Sequence, residues 1–472
     1  MLVVKDKDVR RINLLFSAAA LAGFLRYVIS RSQVPFSGAG DNLLLRDFMK
    51  EGGLDWPKCL TAGRFRPATY CDLLVQKRLG VFDNAAVEAL VFSALVAVVV
   101  VVGWLIAEVL LERRLIKGDH SWLIGLSVLT VAFSPVWSYS VTADYANMEL
   151  FGTAFFLLAV LFQCRAVKGA GGAHDVVLAI AFASISVLWH ERYVVALVSV
   201  AVSLPLFFES RHCSPTRARV LRLGPPAVIS AVLLAYASAR FLAESAPLVS
   251  FGGESATTMS SFLSVSSLGR LLLALVLMLS PVHFSNYMFE GGLTTPTLVG
   301  PAVFSAVALT LVLVWPLFWQ AYSGLPRRRG SWAATKVLLV NFALLALVVS
   351  SVEERLELRW LAAPTALAVP LVMVGFAEIA PLLARKWHYT FALAIITGVL
   401  VGAFLEPRSN HYLLVGGELA DAQLSTASLP VPVCLSPEVP EAYLQWVTGY
   451  GRLGRFALAD GPPCLAVRFP AP

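Results

Sequence analysis

Charge is scarce in this chain: Asp, Glu, Lys and Arg make up 14% of its 472 residues, while hydrophobic residues make up 58%. Soluble domains carry about 25% charged residues, so this composition does not supply a water-facing surface. With a mean hydropathy of +0.74, the chain reads as a polytopic membrane protein. The formal charge is +7 and the pI is near 9.1, yet no basic cluster interleaved with aromatics marks a nucleic-acid surface. In a membrane protein such an excess collects in loops held on the cytoplasmic side. There is no internal repeat, which speaks against a transporter built from two related halves. Oxygen ligands are also too few and too scattered to define a metal site.

The first apolar run, "INLLFSAAALAGFLRYVI", follows Lys5, Lys7, Arg10 and Arg11. A basic flank and small residues at Ala18 to Ala20 also fit a cleaved signal peptide. The run continues to Ile29, close to the length of about 20 residues that spans a bilayer, so a retained anchor is expected. Further apolar segments lie near 86–110, 120–139, 148–166, 175–189, 193–208, 223–243, 298–320, 335–351, 360–382 and 388–405. The expected fold is an all-α polytopic membrane protein with about eleven transmembrane helices.

Basic residues fall in alternate loops, among them "ERRLIKGDH", "RAVKGAGGAHD", "ESRHCSPTRARVLR" and "LPRRRGSWAATK", which puts the N-terminus inside and the C-terminus outside. The stretch 268–292 is apolar enough to cross, and crossing would invert every later loop and carry Arg327 to Arg329 outside. It is therefore read as re-entrant over 268–284, broken at Pro281.

On this topology residues 1–405 form a transmembrane module and residues 406–472 a small extracytoplasmic C-terminal domain, where prolines and glycines interrupt short runs such as "CLAVRF". The outer loop 30–85 carries two surface helices, in "LLLRDFMKEGG" and "ATYCDLLVQKRLG". Cys59 and Cys71 fall in that loop, Cys434 and Cys464 in the tail, and Cys164 and Cys213 at inner ends of spans. The pattern gives two potential pairs on an oxidising exterior.

Charges then gather on the outer side: Asp41, Arg46 and Asp47, Asp144 and Glu149, "HER" at 190–192, and "EERLELR" at 353–359. Charges beside a bilayer need partners or water, so these loops point to one polar cavity opening outward; the competing reading is snorkelling into head groups. Asp41, in "GDNLLLRDF", follows the flexible "SGAG" and can act as general base toward an acceptor hydroxyl, or cap the helix that begins near Leu43. Asp144 can bind an acceptor sugar or a divalent cation, or cap the next span. Arg64 and Arg66 alternate in "GRFRPATY", an arrangement that clamps phosphate or rests on anionic lipid.

Arg192 can bind phosphate with Glu191 as its partner, or the two simply pair and make the turn. His190 is a substrate-binding candidate with no second ligand spaced for a metal. Arg355 and Arg359 can hold the phosphate of a lipid carrier, and Arg355, Glu357 and Arg359 align only if that segment is extended. His283 and Tyr287 rank lower, because such residues at an interface are commonly anchors.

This layout resembles the GT-C superfamily of integral membrane glycosyltransferases, and "GRFRPATY" is similar to the "RFRPL" stretch of its bacterial members. The resemblance implies inverting transfer of a sugar from a polyprenyl-phosphate donor to a glycan or lipid acceptor of the cell envelope. It places the reaction at the outer leaflet of the cytoplasmic membrane, with Asp41 as base. Many members carry two adjacent acids at that position, whereas Asn42 follows Asp41 here. That difference weakens the case for a bridging metal and leaves a divalent cation open. The partners implied are the donor, the acceptor and membrane lipids, without nucleic acid. The alternatives are a polysaccharide polymerase or ligase, and a flippase or transporter of lipid-linked sugar.

Overall fold

The computed structural model describes residues 18, 59, 66–79, 85–111, 147–168, 172–208, 215–244, 288–290, 329–351, 355–357, 361–379, 433–435, 456–458 and 465–467. Most of these residues are helical. The helices are α1 (Pro67–Arg78), α2 (Ala85–Leu111), α3 (Asn147–Val167), α4 (Ala173–Trp189), α5 (Val194–Phe207), α6 (Pro215–Glu244), α7 (Arg329–Ser351) and α8 (Ala362–Ile379). A 3-10 turn, Glu191–Tyr193, joins α4 to α5.

Short strands complete the description. β1 (Met288–Glu290) pairs antiparallel with β2 (Arg355–Glu357), while β3 (Val433–Leu435) lies between β4 (Phe456–Leu458) and β5 (Leu465–Val467) in a parallel sheet. The expected spans at 86–110, 148–166, 175–189 and 193–208 coincide with α2, α3, α4 and α5 to within a residue or two. Among the described residues two helices, Met148–Val167 and Leu223–Arg240, are long and apolar enough to cross a membrane. Shorter apolar helices are Ala97–Leu111, Ala173–Trp189 and Ala333–Val348. Apart from residue 18, the expected spans near 11–29, 120–139, 298–320 and 388–405, the re-entrant stretch 268–284 and the first surface helix lie outside the described residues.

Helices α2 and α6 carry apolar residues on buried and exposed faces alike. Along α2, Val99, Val102, Ile106 and Leu110 are buried, yet Val98, Val101 and Leu105 on the other side are exposed and equally apolar. On α6, Val220, Leu223, Val228, Leu234 and Leu242 are exposed while Ile229 is buried. A helix at the surface of a water-soluble domain turns a polar face outward; hydrophobic residues all round suit a hydrocarbon or protein environment.

Polar contacts sit inside the bundle instead. Asn341 Nδ2 of α7 donates to Gln163 Oε1 of α3 at 2.9 Å, and Gln163 Nε2 donates to Ser199 Oγ of α5 at 3.2 Å. Ser199 and Ser203 hydroxyls lie 3.4 Å apart. Such interhelical bonds contribute about 0.6 kcal/mol each in membrane bundles, so they set register more than they hold the helices together.

Side-chain contacts also fix the relative directions of the helices. At one end Arg165 of α3 meets Asp175 of α4 at 3.3 Å, and at the other Trp189 of α4 stacks on Phe151 of α3 with centroids 4.6 Å apart, so α3 and α4 are antiparallel. Lys168 Nζ donates to Val109 O at 2.8 Å, which places the ends of α2 and α3 together and makes those two helices parallel. The Cys164 thiol donates to Ala334 O at 3.6 Å, near the start of α7, and α7 also reaches the 3-10 turn at the opposite end of α3. Helix α7 therefore runs against α3.

Helix α3 and the 3-10 turn come together around one glycine. A Cβ built on Gly152 would overlap the Tyr193 ring, approaching Cδ2 to 3.0 Å. That ring is fixed, because its hydroxyl lies 3.0 Å from Thr153 Oγ1 and donates to Glu149 O at 3.3 Å. Gly152→Ala is expected to destabilise the protein by about 1–3 kcal/mol through overpacking, read as a lower melting temperature in detergent.

Candidate functional site

The site grows from the place where α4 must stop. His190, at φ −157° and ψ 136°, takes extended backbone after Trp189, and its Nδ1 accepts the Arg192 N–H at 3.2 Å, closing the 3-10 turn. The carbonyls at the end of a helix need donors from elsewhere. Thr69 supplies one, its hydroxyl donating to Trp189 O at 2.7 Å. Thr69 is in place because Pro67 opens α1; proline suits the first helical position and keeps the residue before it extended.

That preceding residue is Arg66. Its Nε donates to Glu191 Oε2 at 2.7 Å and its Nη2 to Glu191 Oε1 at 2.6 Å, a forked pair between residues 125 apart in sequence. Its Nη1 reaches Met148 Sδ at 3.6 Å, so the same guanidinium touches the start of α3. A second ion pair lies beside the first: Arg192 Nη1 is 3.1 Å from each carboxylate oxygen of Glu149, in the first turn of α3. His190 stands between the pairs, with Nδ1 3.4 Å from Glu191 Oε2 and Nε2 3.0 Å from Arg192 Nη2.

Arg66, Glu149, His190, Glu191 and Arg192 are all buried. Burial pushes the Glu191 carboxyl up, but the Arg66 charge, then His190, then the Arg66 hydrogen bonds outweigh it and hold the group well below the usual carboxylate range.

This arrangement differs from both readings of "HER". Glu191 and Arg192 do not pair with each other in the turn: Glu191 takes Arg66 and Arg192 takes Glu149. Each arginine meets a carboxylate from another part of the chain, so the cluster braces the ends of α1, α3, α4 and α5. Arg66 was expected to offer its fork to phosphate, and here a carboxylate fills that fork. Arg355 lies in β2, opposite Glu290 in the ladder, so that segment is extended as its alternation requires. Asp41, Arg64, Asp144 and Arg359 lie outside the described residues.

Sequence reasoning counted Glu149 among the outer charges but gave it no role, and it passed over Thr69, Met148 and Tyr193. Glu149 had a signal: it lies near arginines of the outer loops, and a buried arginine needs a counter-charge. The others had none, because a threonine, a methionine and a tyrosine gain their roles only from what they touch. Among the described residues no group of three or more His, Cys, Asp or Glu gathers to hold a metal ion.

The two ends of the bundle differ. Cys59 and Cys71 are joined by a disulfide at the end that holds the ion pairs. At the other end Arg165 is 45% exposed and His174 is 74% exposed, Lys168 lies on Val109 O, and Lys336 sits 5.4 Å from the Phe207 ring centroid. No family model matches the sequence, and no curated protein matches it.

Proposed function

We propose that this protein is a polytopic membrane glycosyltransferase of about eleven spans that transfers a sugar from a polyprenyl-phosphate donor to an envelope glycan or lipid at the outer leaflet, with inversion. Asp41 is the general base, and Arg64, Arg355 and Arg359 face the donor phosphate, with Asp144 on the acceptor side. Arg66, Glu149, His190, Glu191 and Arg192 position the outer loops around that chemistry. The observation that carries the reading is the Arg66–Glu191 pair, which draws the loop that also contains Asp41 onto the turn between α4 and α5. Separate outer loops must meet if one cavity is to bind a lipid-linked sugar and its acceptor.

Sidedness is supported by two rules that do not depend on each other. Disulfides persist in oxidising compartments, and exposed Lys and Arg of short loops stay on the cytoplasmic side. Applied to the bundle, the first puts the Cys59–Cys71 end outside and the second puts the Arg165 and Lys168 end inside, which is one orientation.

The test of the reaction is the product. Mass spectrometry of envelope glycans from a deletion strain is expected to show the loss of one sugar; an unchanged glycan profile would rule out transfer. The test of sidedness is a Ser37→Cys variant read against the parent protein, whose native thiols set the background. An impermeant maleimide is expected to modify the added thiol in intact cells, and modification only after lysis would place Asp41 on the wrong side.

A further inference from the structure

The first six residues of the α1 region carry three fastenings. Cys71 is bonded to Cys59, which is fully buried and packed with Leu74 against Tyr70. Arg66 holds Glu191 through two hydrogen bonds, and Thr69 holds the Trp189 carbonyl. The disulfide ties α1 to the chain before it, while Arg66 and Thr69 tie it to the turn between α4 and α5.

These ties reinforce one another. A closed covalent ring of 12-residue separation leaves the undocked chain fewer conformations, so Arg66 loses less freedom on reaching Glu191. In return, docking restrains α1, whose Leu74 and Tyr70 pack on Cys59 and limit the approach of an attacking thiolate to that sulfur. Coupling of this kind is reciprocal: whatever the bond contributes to docking, docking contributes to the bond.

We propose that the Cys59–Cys71 bond and the Arg66–Glu191 pair form a single latch, closed during assembly by a disulfide-exchange protein on the exoplasmic side. In the closing step one cysteine thiolate attacks the oxidant's disulfide and forms a mixed disulfide. The second thiolate then displaces the oxidant. Cys59 and Cys71 together give up two protons and two electrons, and the oxidant leaves as a dithiol. The placement of the oxidant rests on the sidedness argued above; the coupling itself does not rest on transferase activity.

Hydrogen exchange on the purified full-length protein tests the coupling. Reduction by a dithiol is expected to speed amide exchange about tenfold or more, both in α1 and in residues 190–193. The Cys59→Ser/Cys71→Ser variant should exchange like the reduced protein and ignore the dithiol. Glu191→Gln should make the bond open about tenfold faster to an impermeant phosphine, and Thr69→Val gives the same readout should Glu191→Gln not accumulate. Faster exchange in α1 alone, or an unchanged opening rate in both variants, would overturn the latch. Cleavage by the phosphine in intact cells supports the exoplasmic oxidant, and cleavage only after lysis removes it. A protein that passes these tests yet forms no glycosidic bond would refute the transferase reading and leave the latch standing.

Discussion

Asp41→Asn is expected to lower sugar transfer by about 10²- to 10⁴-fold, the range a positioned general base contributes, while the protein stays in the membrane at normal abundance. The substitution separates the two roles open to this residue. Asparagine caps a helix about as well as aspartate, so a capping role predicts little change in stability or turnover. An amide has no basic oxygen with which to accept the acceptor's hydroxyl proton, so a base role predicts near-complete loss. Membranes carrying the variant, supplied with a labelled polyprenyl-phosphate sugar and normalised to protein amount, provide the measurement. Ordinary turnover would remove the assignment, and loss of both protein and turnover would return Asp41 to a structural role.

Glu191→Gln is expected to cost about 3–5 kcal/mol, because it removes the carboxylate charge that fills the buried Arg66 fork. Arg66→Met together with Glu191→Leu should recover most of that loss, since replacing both members removes the buried guanidinium charge as well as the pair. Melting temperatures of the three proteins in one detergent decide it; equal melting points for the single variant and the wild type would show that the pair is not a brace.

The pH dependence has a definite sign. A carboxyl whose folded pKa is depressed contributes stability that is fully present above its unfolded value, about 4.3, and lost as pH falls through the folded value. With Glu191 held well below the ordinary range, the contribution persists through mild acid and disappears only in strong acid. Wild type and Glu191→Gln should therefore differ by a constant amount between neutral and mildly acidic pH and converge only below it.

Much of the helical framework was legible because it rests on local quantities. The run from Ala85 to Leu111 contains too many apolar residues in succession to be a loop, and "GGAHD" and "HERY" break the following runs with groups that need water or partners. Arg66 and "HER" stood out as well, since charge in an apolar chain is conspicuous wherever it falls. Their pairing was not legible. Which carboxylate a guanidinium meets depends on a few ångströms of side-chain reach across segments 43 and 125 residues apart, and no periodicity records that distance.

By itself, then, the sequence determined that most of the described residues are helical, that the longer helices are rich in apolar residues, and that charge is sparing except at chosen turns. Apolar length and loop charge are local properties, and local properties survive without a fold. Tertiary structure alone decided that α7 runs against α3, that Gly152 makes room for Tyr193, and that Arg66 closes on Glu191 while Arg192 closes on Glu149. Each of these depends on two distant segments occupying the same few ångströms, and in a bundle so uniformly apolar the sparse polar contacts are what select one such arrangement.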